Sequence, residues 1–306
     1  GNLLGALLPA IKMSKDPQNE SFLFIANLHS LTQIKDSEIM RENPYSTAAV
    51  WLACGVDPEK TTFYRQSDVA EVSELMWHLL CFYPFQRLTL ATSFKDKADY
   101  LSDVNAGLFS YPILMAADIL IYDAEIVPVG KDQSQHLEIT RDVASRFNHQ
   151  MGETFILPDA RIDEATEIVP GTDGEKMSKS RGNTINIFLP DKELKKQVMS
   201  IVTDSKGLEE PKDPDTCNIF KIYRLLASAE EVADMRSKYQ AGGFGYGHAK
   251  TALLELILTK FSAERQKYNE LMADKSQIDQ ALEIGASKAR IIARETLNRV
   301  RNKIGY

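Results

Sequence analysis

The stretch EIVPVGKDQSQHLEITRDVASRF, residues 125–147, joins a short apolar run to a segment whose apolar residues recur at helical spacing. The run, residues 125–130, has the length of a buried strand, and the segment after it predicts an amphipathic helix. A strand that leads directly into a helix is the repeating unit of a parallel sheet covered by helices. This stretch therefore predicts an α/β fold.

The same alternation extends through the N-terminal half of the chain. The predicted helices are residues 3–15, 38–54, 69–83 and 107–121, and the further predicted strands are residues 21–30 and 61–66. Connections between parallel strands of one sheet are right-handed crossovers, which place helices on both faces of the sheet. The pattern thus predicts a Rossmann-like parallel sheet with helices on both faces.

The C-terminal part of the chain has a different pattern. From Asp191 onward no segment has the pattern of a strand, and helical spacing continues almost to Tyr306, with a glycine-rich break at residues 239–250. A length of 306 residues suits one large core and a second, smaller one. We therefore predict a Rossmann-like catalytic domain at residues 1–188 and an all-α domain at residues 189–306.

Composition argues against several classes of protein. The formal charge of −7 argues against nonspecific coating of nucleic acid, because lysine and arginine drive that binding by neutralising phosphates. No apolar run approaches the ~20 residues of a membrane helix, and no basic segment followed by an apolar one opens the chain. The three cysteines lack C-x-x-C spacing. We expect a cytoplasmic protein without disulfides, a structural zinc site or an iron–sulfur cluster.

Residues that directly follow predicted strands are the first candidates for a site, since ligands of open parallel sheets bind beyond the carboxyl ends of the strands. His29 follows such a run, although an isolated histidine is more often a core or surface residue. Gly130 is followed by Lys131, Asp132 and Gln133. Glycine admits close approach of a ligand, a helix N-terminus binds anions, and a carboxylate accepts from ribose hydroxyls. An ordinary helix cap with a solvated first turn is the alternative.

The predicted helix at 107–121 carries an unusual face. Tyr111, Met115 and Asp118 are spaced i, i+4 and i+7, so they share one side of the helix. An aspartate among apolar neighbours is costly to bury unless a donor satisfies it. The face therefore predicts a pocket for a ligand with an apolar body and one N–H group. The alternative is a capped or ion-paired acid at a helix end.

The loop GEKMSKSRGN, residues 174–183, concentrates cations and hydroxyl groups between glycines. Lys176 and Lys179 act as mobile point charges, and Ser178 and Ser180 donate hydrogen bonds. The glycines allow the loop to move. The loop predicts a clamp for a polyphosphate, against the alternative of an ordinary solvated surface loop.

K-M-S-K-S at residues 176–180 resembles the signature of class I aminoacyl-tRNA synthetases. Four more segments are similar to those of the bacterial type of tryptophanyl-tRNA synthetase: YPILMAADILIY (111–122), VPVGKDQSQHLEITRDVASRFN (127–148), VTDS (202–205) and GYGHAK (245–250). The resemblance covers essentially the whole chain in order and spacing. In this family a strand and an H-I-G-H-like element ending in Gly-Asn come first. Gly1-Asn2 matches the end of that element, so we expect the strand and the start of the element to precede Gly1.

The resemblance implies roles for individual residues. For tryptophan, it implies that Asp118 accepts from the indole N–H. The other tryptophan-binding candidates are Tyr111, Met115, Val127, Val129, Gln133 and His29. The implied ATP-binding residues are Gly1, Asn2, Gly130, Lys131, Asp132, Ile168, Lys176, Met177, Ser178, Lys179 and Ser180. The implied catalytic residues are Lys97, Lys176, Lys179 and Ser180.

The implied reaction is activation of tryptophan by ATP with Mg²⁺, followed by transfer of tryptophan to its tRNA by a homodimer that does not bind membranes. A tyrosyl-tRNA synthetase is one alternative, because a phenol can also donate to an aspartate. A nucleotide-binding paralogue without catalytic activity is another. Residues 280–306 contain six basic residues and two acidic ones, which predicts either a tRNA-binding face or a solvated helix face.

Overall fold

The computed structural model describes residues 1–90, 104–130, 134–162 and 169–306. These residues form a mixed α/β structure that is mostly helical, with parallel strands as far as residue 162 and a helical C-terminal region. Within these four ranges, no helix is both long enough and apolar enough to cross a membrane.

Strands and helices alternate as far as residue 162. The strands are β1 (Phe22–Ile25), β2 (Thr62–Arg65), β3 (Ile126–Val129) and β4 (Asp159–Ile162). The helices in this part are α1 (Leu8–Ser14), α2 (Asn27–Ser30), α3 (Ser37–Ala53), α4 (Glu71–Phe82), α5 (Phe85–Leu88), α6 (Ala106–Leu120) and α7 (Ser134–Met151). The later helices are α8 (Asp191–Met199), α9 (Asn218–Tyr223), α10 (Ala229–Ala241), α11 (Tyr246–Lys260), α12 (Ser262–Ala273) and α13 (Ser276–Ile304). A π-helical turn at Leu3–Leu7 precedes α1, and a 3-10 turn at Gln66–Asp68 follows β2.

The strands pair in parallel, as the sequence predicts. In one pair, β1 and β2, Phe22 lies opposite Thr62, and in the other, β3 and β4, Ile126 lies opposite Asp159. Strand β4 is not predicted from the sequence, because its four residues, DARI, include only two apolar ones. Such a short run shows neither an apolar stretch nor a clear alternation.

Contacts divide the chain into two compact units. The strand unit comprises Met13–Ala48, Val56–Ala165 and Asp274–Tyr306, and the helical unit comprises Gly1–Lys12, Ala49–Gly55 and Thr166–Ala273. Both units are discontinuous in sequence, whereas the predicted domains, 1–188 and 189–306, are consecutive. That domain division stays a prediction.

Each unit has its own apolar core. In the strand unit, fully buried side chains such as Leu75, Ile113 and Phe147 join α4, α6 and α7. In the helical unit, Phe220 and Leu253 belong to the buried cluster formed mainly by helices α8 to α11. Burial of these apolar side chains holds the helices of each unit together.

Helix α13 packs on strand β2 through small residues. Ala286, Ala289 and Ala293 are completely buried on this helix. At Gly285 the two backbones are so close that a Cβ atom would lie 1.9 Å from the carbonyl oxygen of Phe63. Only glycine fits at such a contact. Through this close packing on β2, helix α13 belongs to the strand unit although it is the last helix of the described chain.

The basic residues of α13 have partners in the same unit. The ion pairs are Arg290–Glu283, Arg294–Glu71, Arg299–Asp123 and Arg301–Glu74. Arg301 donates through two nitrogens to the two carboxylate oxygens of Glu74, at 2.7 and 2.6 Å. These contacts give the basic residues a structural role, and contact with tRNA stays a prediction.

Candidate active site

Asp118 lies on α6 with its carboxylate in the interior of the strand unit. Its side chain is buried, and its Oδ2 accepts a hydrogen bond of 2.6 Å from Nε2 of Gln66. Its Oδ1 is buried and has no hydrogen-bond partner among the described residues. The described residues show no ion pair of Asp118, and the choice between a ligand-binding acid and a capped or ion-paired acid at a helix end stays a prediction.

Burial and the glutamine act on Asp118 in opposite directions. Burial raises the pKa of the Asp118 carboxyl well above its usual value, while the hydrogen bond from Gln66 lowers it. The cause is that a low-dielectric surrounding disfavours the charged form and a donor favours it. An ionised Asp118 can accept one further hydrogen bond at Oδ1, which suits a ligand with a single N–H group.

Gln66 is fixed by the end of the neighbouring strand. It directly follows β2 and is almost completely buried. Its Oε1 accepts from the backbone N–H groups of Leu28 and His29, at 3.1 and 3.2 Å, just beyond the end of β1. The carboxyl ends of two paired strands thus hold the amide that contacts Asp118.

Three rings lie together beside this carboxylate's helix. The Tyr111 hydroxyl is 3.2 Å from Nε2 of the buried His136. The His29 ring meets the Tyr111 ring edge to face, with centroids 4.7 Å apart. The structure therefore brings together His29 and Tyr111, two of the residues predicted to bind tryptophan, and adds His136. Aromatic edges and faces of this kind suit a flat apolar ligand.

The other predicted tryptophan-binding residues have a less defined place. Met115 is partly buried on α6, and Val127 and Val129 are the two partly buried residues of β3, on one face of the strand. Their contact with tryptophan stays a prediction, as does that of Gln133. Five predicted site residues lie outside the described ranges: Lys97, Lys131, Asp132, Gln133 and Ile168.

The lysine loop, residues 169–183, belongs to the helical unit and begins as a narrow hairpin. Pro170 and Lys176 form an antiparallel bridge, and the N–H of Met177 donates to the Val169 carbonyl at 2.9 Å. Gly174 turns the chain with a φ of +87°, and a Cβ atom there would lie 2.6 Å from the Asn218 side chain. Glycine is therefore required at this turn, both for its φ angle and for space.

Asn183 closes the loop from inside. Its side chain is 3% exposed, and its Oδ1 accepts from the N–H of Ser178 at 2.7 Å. Its Nδ2 donates to Asp173 at 2.8 Å and to the Lys176 carbonyl at 3.2 Å. The pKa of Asp173 is lowered chiefly by this hydrogen bond. The buried amide of Asn183 thus connects the backbone at Lys176 and Ser178 to Asp173, near the start of the loop.

The cations of the loop are presented outward from this frame. Lys176 and Lys179 are exposed, and the hydroxyl groups of Ser178 and Ser180 lie 2.8 Å apart. Two flexible ammonium groups and two hydroxyl donors on an ordered backbone match the needs of a polyphosphate. The arrangement agrees with the predicted clamp, and the roles of the individual residues stay predictions.

The first residues of the chain lie against this loop. The Gly1 nitrogen is 2.9 Å from the sulfur of Met177. Asn2 is exposed and precedes the π-helical turn without a side-chain cap. Gly1 and Met177, both predicted to bind ATP, are therefore neighbours.

Three residues of these two sites were not identified from the sequence: Gln66, His136 and Asn183. Gln66 is the last residue of the predicted strand at 61–66, so the rule that selected His29 near the end of its run could have found it. His136 lies within one of the segments that carry the family resemblance. Asn183 ends the quoted loop, but no local pattern signals that its side chain turns inward.

The chain is similar over its whole length to known proteins. The sequence profile described as "tRNA synthetases class I (W and Y)" matches residues 1–262. The tryptophan–tRNA ligase of Campylobacter jejuni strain RM1221 is 49% identical over 304 residues, covering 99% of this chain and 95% of that protein. The tryptophan–tRNA ligase of Neisseria meningitidis is 45% identical over 314 residues, covering 100% of this chain and 93% of that protein.

Solved structures agree with these relatives. The crystal structure of Campylobacter jejuni tryptophanyl-tRNA synthetase, complexed with ADP and tryptophan, matches with a TM-score of 0.97 and 48% identity, covering 100% of this chain and 95% of that chain. The tryptophanyl-tRNA synthetase of Mycoplasma pneumoniae matches with a TM-score of 0.81 and 28% identity, covering 100% and 93% of the two chains.

Proposed function

The chain belongs to the class I tRNA synthetase family of the tryptophan and tyrosine enzymes, and from this premise we infer that it is a tryptophan–tRNA ligase. It activates L-tryptophan with ATP to form tryptophanyl-adenylate and pyrophosphate, and then transfers the tryptophanyl group to tRNA. The observation that carries the assignment is full-length identity of 45–49% to proteins of this one activity.

We propose that Asp118 recognises the amino acid. Its Oδ1 is the remaining acceptor in an otherwise apolar part of α6, and the indole N–H is a donor that cannot accept. A site that needs a donor rejects ligands without one far more strongly than an apolar pocket rejects a wrong shape. Tyr111 and His29 contribute ring contacts beside it.

We propose that the lysine loop binds the phosphates of ATP. No side chain has to form a covalent bond in the activation step. A carboxylate oxygen of tryptophan attacks the α-phosphorus, the bond from that phosphorus to the bridging oxygen breaks, and pyrophosphate leaves with the electron pair. Lys176 and Lys179 stabilise the charge that moves onto pyrophosphate, while Ser178 and Ser180 donate hydrogen bonds. Lys97, Gly130 to Asp132 and Ile168 complete the predicted ATP site.

Magnesium would accompany ATP. In the described part of the chain, no group of three His, Cys, Asp or Glu side chains could hold a metal ion. This fits an ion carried by the triphosphate, since Mg²⁺ in such enzymes is bound mainly by phosphates and water. When bound, it neutralises phosphate charge.

The finer architecture and the partners are part of the proposal. We propose a Rossmann-like sheet, because two strand ends converge on Gln66 as ligand-binding sheets of this type require. The RNA partner would be the tRNA for tryptophan, bound by a C-terminal helical domain at residues 189–306. The protein would act in the cytoplasm, where tRNA is charged.

A homodimer is the proposed assembly. In the strand unit, the large apolar side chains of Trp77 and Phe85 are 66% and 64% exposed, and we propose that the partner subunit covers them. Sedimentation at micromolar concentration should show a dimer, and Phe85→Glu should shift it towards monomer. A monomer at all concentrations would contradict this assembly.

The experiment that tests the function is amino-acid-dependent exchange of pyrophosphate into ATP, with each standard amino acid in turn. Tryptophan alone should support rapid exchange. Exchange with tyrosine would favour the tyrosine enzyme of the same family, and no exchange with any amino acid would favour an inactive paralogue. Lys179→Ala should lower the rate with tryptophan about 10²-fold or more, because a contact to transition-state charge is lost.

A further inference from the structure

Gln66 contacts Asp118 in an orientation that the surrounding backbone dictates. A side-chain amide has an oxygen that only accepts and a nitrogen that only donates, and its orientation follows from its partners. Two backbone N–H groups, of Leu28 and His29, point at one end of Gln66, so that end is Oε1. The other end, Nε2, therefore has to face Asp118 and donate to it, at 2.6 Å.

This arrangement determines what the Asp118 carboxylate offers to a ligand. One oxygen, Oδ2, already accepts from Gln66, and Oδ1 is left as a single acceptor. A protonated carboxyl would instead carry an O–H donor, which opposes an N–H donor on a ligand. The chemistry of the pocket therefore depends on whether Asp118 is kept in its ionised form.

Other titratable groups of the described residues lie around Asp118. Tyr64 from β2 and Tyr122 after α6 are the titratable side chains whose electrostatics involve Asp118, and burial raises the pKa of both hydroxyls. Tyr111 on α6 and His136 on α7 contact each other. His29 contacts the Tyr111 ring. Among the described residues, Gln66 is the side chain whose hydrogen bond lowers the pKa of Asp118 and so favours its ionised form.

We propose that Gln66 is a positioning residue that determines amino-acid specificity: it holds Asp118 as a single acceptor, turned so that Oδ1 meets the ligand's N–H. The proposal rests on the tryptophan site proposed above. According to this proposal, the residue that follows β2 contributes to amino-acid specificity through Asp118. Gln66 does not have to contact tryptophan itself.

Two variants separate the donor from the rest of the side chain. Gln66→Met keeps the length of the chain but removes both the donor and the acceptor. Gln66→Glu keeps an oxygen for the N–H groups of Leu28 and His29, but places a second carboxyl beside Asp118. Two adjacent carboxyl groups cannot both ionise easily, so one of them keeps a proton. Gln66→Glu should therefore fold even if Gln66→Met does not.

The control is Ser67→Ala. The hydroxyl of the exposed Ser67 accepts a hydrogen bond of 2.8 Å from Asn27, so this pair links the same two strand ends as Gln66 does. Neither Ser67 nor Asn27 contacts Asp118 through a hydrogen bond. Ser67→Ala thus weakens the same structural connection without changing the partner of Asp118.

The first measurement is discrimination between tryptophan and its benzothiophene analogue, in which sulfur replaces the indole N–H. The ratio of kcat/KM for the two amino acids in pyrophosphate exchange should fall about 10-fold or more in Gln66→Met and in Gln66→Glu. It should stay within about twofold of the unmodified protein in Ser67→Ala, and KM for ATP should not change.

The second measurement is the pH dependence of tryptophan binding by equilibrium dialysis. Binding should weaken as pH falls through the pKa of Asp118, which burial raises. Removing the Gln66 donor raises this pKa further, so the loss of binding should begin at a higher pH than in the unmodified protein. A purely structural contact would weaken binding equally at every pH.

The outcomes test the role of Gln66 separately from the proposed tryptophan site at Asp118. If Asp118→Asn abolishes discrimination but both Gln66 variants keep the ratio and the pH profile unchanged, the role of Gln66 is wrong and the tryptophan site stands. If Asp118→Asn itself leaves discrimination unchanged, the site lies elsewhere. Equal losses for both amino acids in Gln66→Glu would also overturn the inference.

Discussion

At the scale of single residues, Asp118 shows how a binding site opposes the stability of its own fold. Its carboxylate is buried, and the hydrogen bond from Gln66 offsets only part of the resulting rise in pKa. A buried acid with a raised pKa binds its proton more tightly in the folded state than in the unfolded one. The unliganded protein therefore loses stability as pH rises from about 4 through the folded-state pKa of Asp118.

Asp118→Asn should stabilise the unliganded protein at neutral pH by about 0.5–2 kcal/mol, because it removes the buried charge. The asparagine oxygen can still accept from Gln66. Urea unfolding between pH 4.5 and 8 should show a difference from the unmodified protein that shrinks towards the acid end. If Asp118→Asn is less stable than the unmodified protein at pH 7.5, this reasoning is wrong. Whatever its stability, the variant should lose tryptophan activation.

At the scale of elements, the lysine loop and helix α13 both depend on contacts that admit one residue type. In the loop, a Cβ atom at Gly171 would lie 2.3 Å from Nδ2 of Asn183. In the helix, a Cβ atom at Gly285 would lie 1.9 Å from the carbonyl oxygen of Phe63. Both elements therefore depend on the close approach of a glycine to its neighbour.

Asn183→Ala should slow adenylate formation about 10-fold or more, because the loop that carries Lys176 and Lys179 loses the amide that orders it. KM for tryptophan should change little. Single-turnover formation of the adenylate measures the effect. The control is Asn186→Ala, which also removes an acceptor for one backbone N–H, that of Phe188, but outside the loop. Equal rates in the two variants would show that Asn183 does not order the lysines.

Gly285→Ala should destabilise the protein by about 3 kcal/mol or more, since the added methyl group meets backbone that cannot move aside. Gly247→Ala is the matched change in α11, where a Cβ atom meets nothing within 4 Å. That variant should be neutral or up to about 1 kcal/mol more stable. Urea unfolding compares the two. Similar stabilities would mean that α13 does not pack closely on β2.

The sequence predicts these elements to different degrees. The helices with clear apolar spacing and strands β2 and β3 are confirmed within a few residues, because each is recognisable from its own pattern. The predicted strand at residues 21–30 is confirmed only as far as Ile25, since Asn27–Ser30 forms helix α2. Strand β4 is missed, since its identity comes from pairing with β3 rather than from its four residues. The aspartate could be predicted from its helical neighbours, whereas Gln66 and Asn183 act across the fold, over 52 residues in the case of Gln66, and local patterns do not contain such contacts.

At the scale of the whole molecule, the basic residues near the end of the sequence contact acidic residues, most of them from distant parts of the chain. Their clustering in the sequence does not predict these contacts. Four of the six basic residues at positions 280–306, Arg290, Arg294, Arg299 and Arg301, form ion pairs with acids of the strand unit. Arg290 also donates to the Asp68 carbonyl at 2.8 Å. A stretch of positive charge in an acidic chain is therefore used to attach a helix, which a count of charges cannot reveal.

The double change Arg290→Ala with Arg294→Ala should lower the free energy of unfolding by about 1 kcal/mol, since the contacts are partly exposed. The salt dependence of aminoacylation should stay unchanged. If these arginines instead contact tRNA, each lost phosphate contact would reduce the slope of log K against log salt by about 0.7–0.9. A flatter slope with unchanged stability would support the prediction that these arginines contact tRNA.

The return of α13 to strand β2 has a consequence for how the chain is made. The ribosome adds more than two hundred residues between β2 and Gly285. The side of β2 that α13 covers is therefore exposed during most of synthesis. The helical unit has its own core and can become compact during that interval. Exposed strand surface is a template for association with other nascent chains. We therefore expect newly made protein to depend on a chaperone, or on slow, dilute refolding, until α13 has closed over the strand.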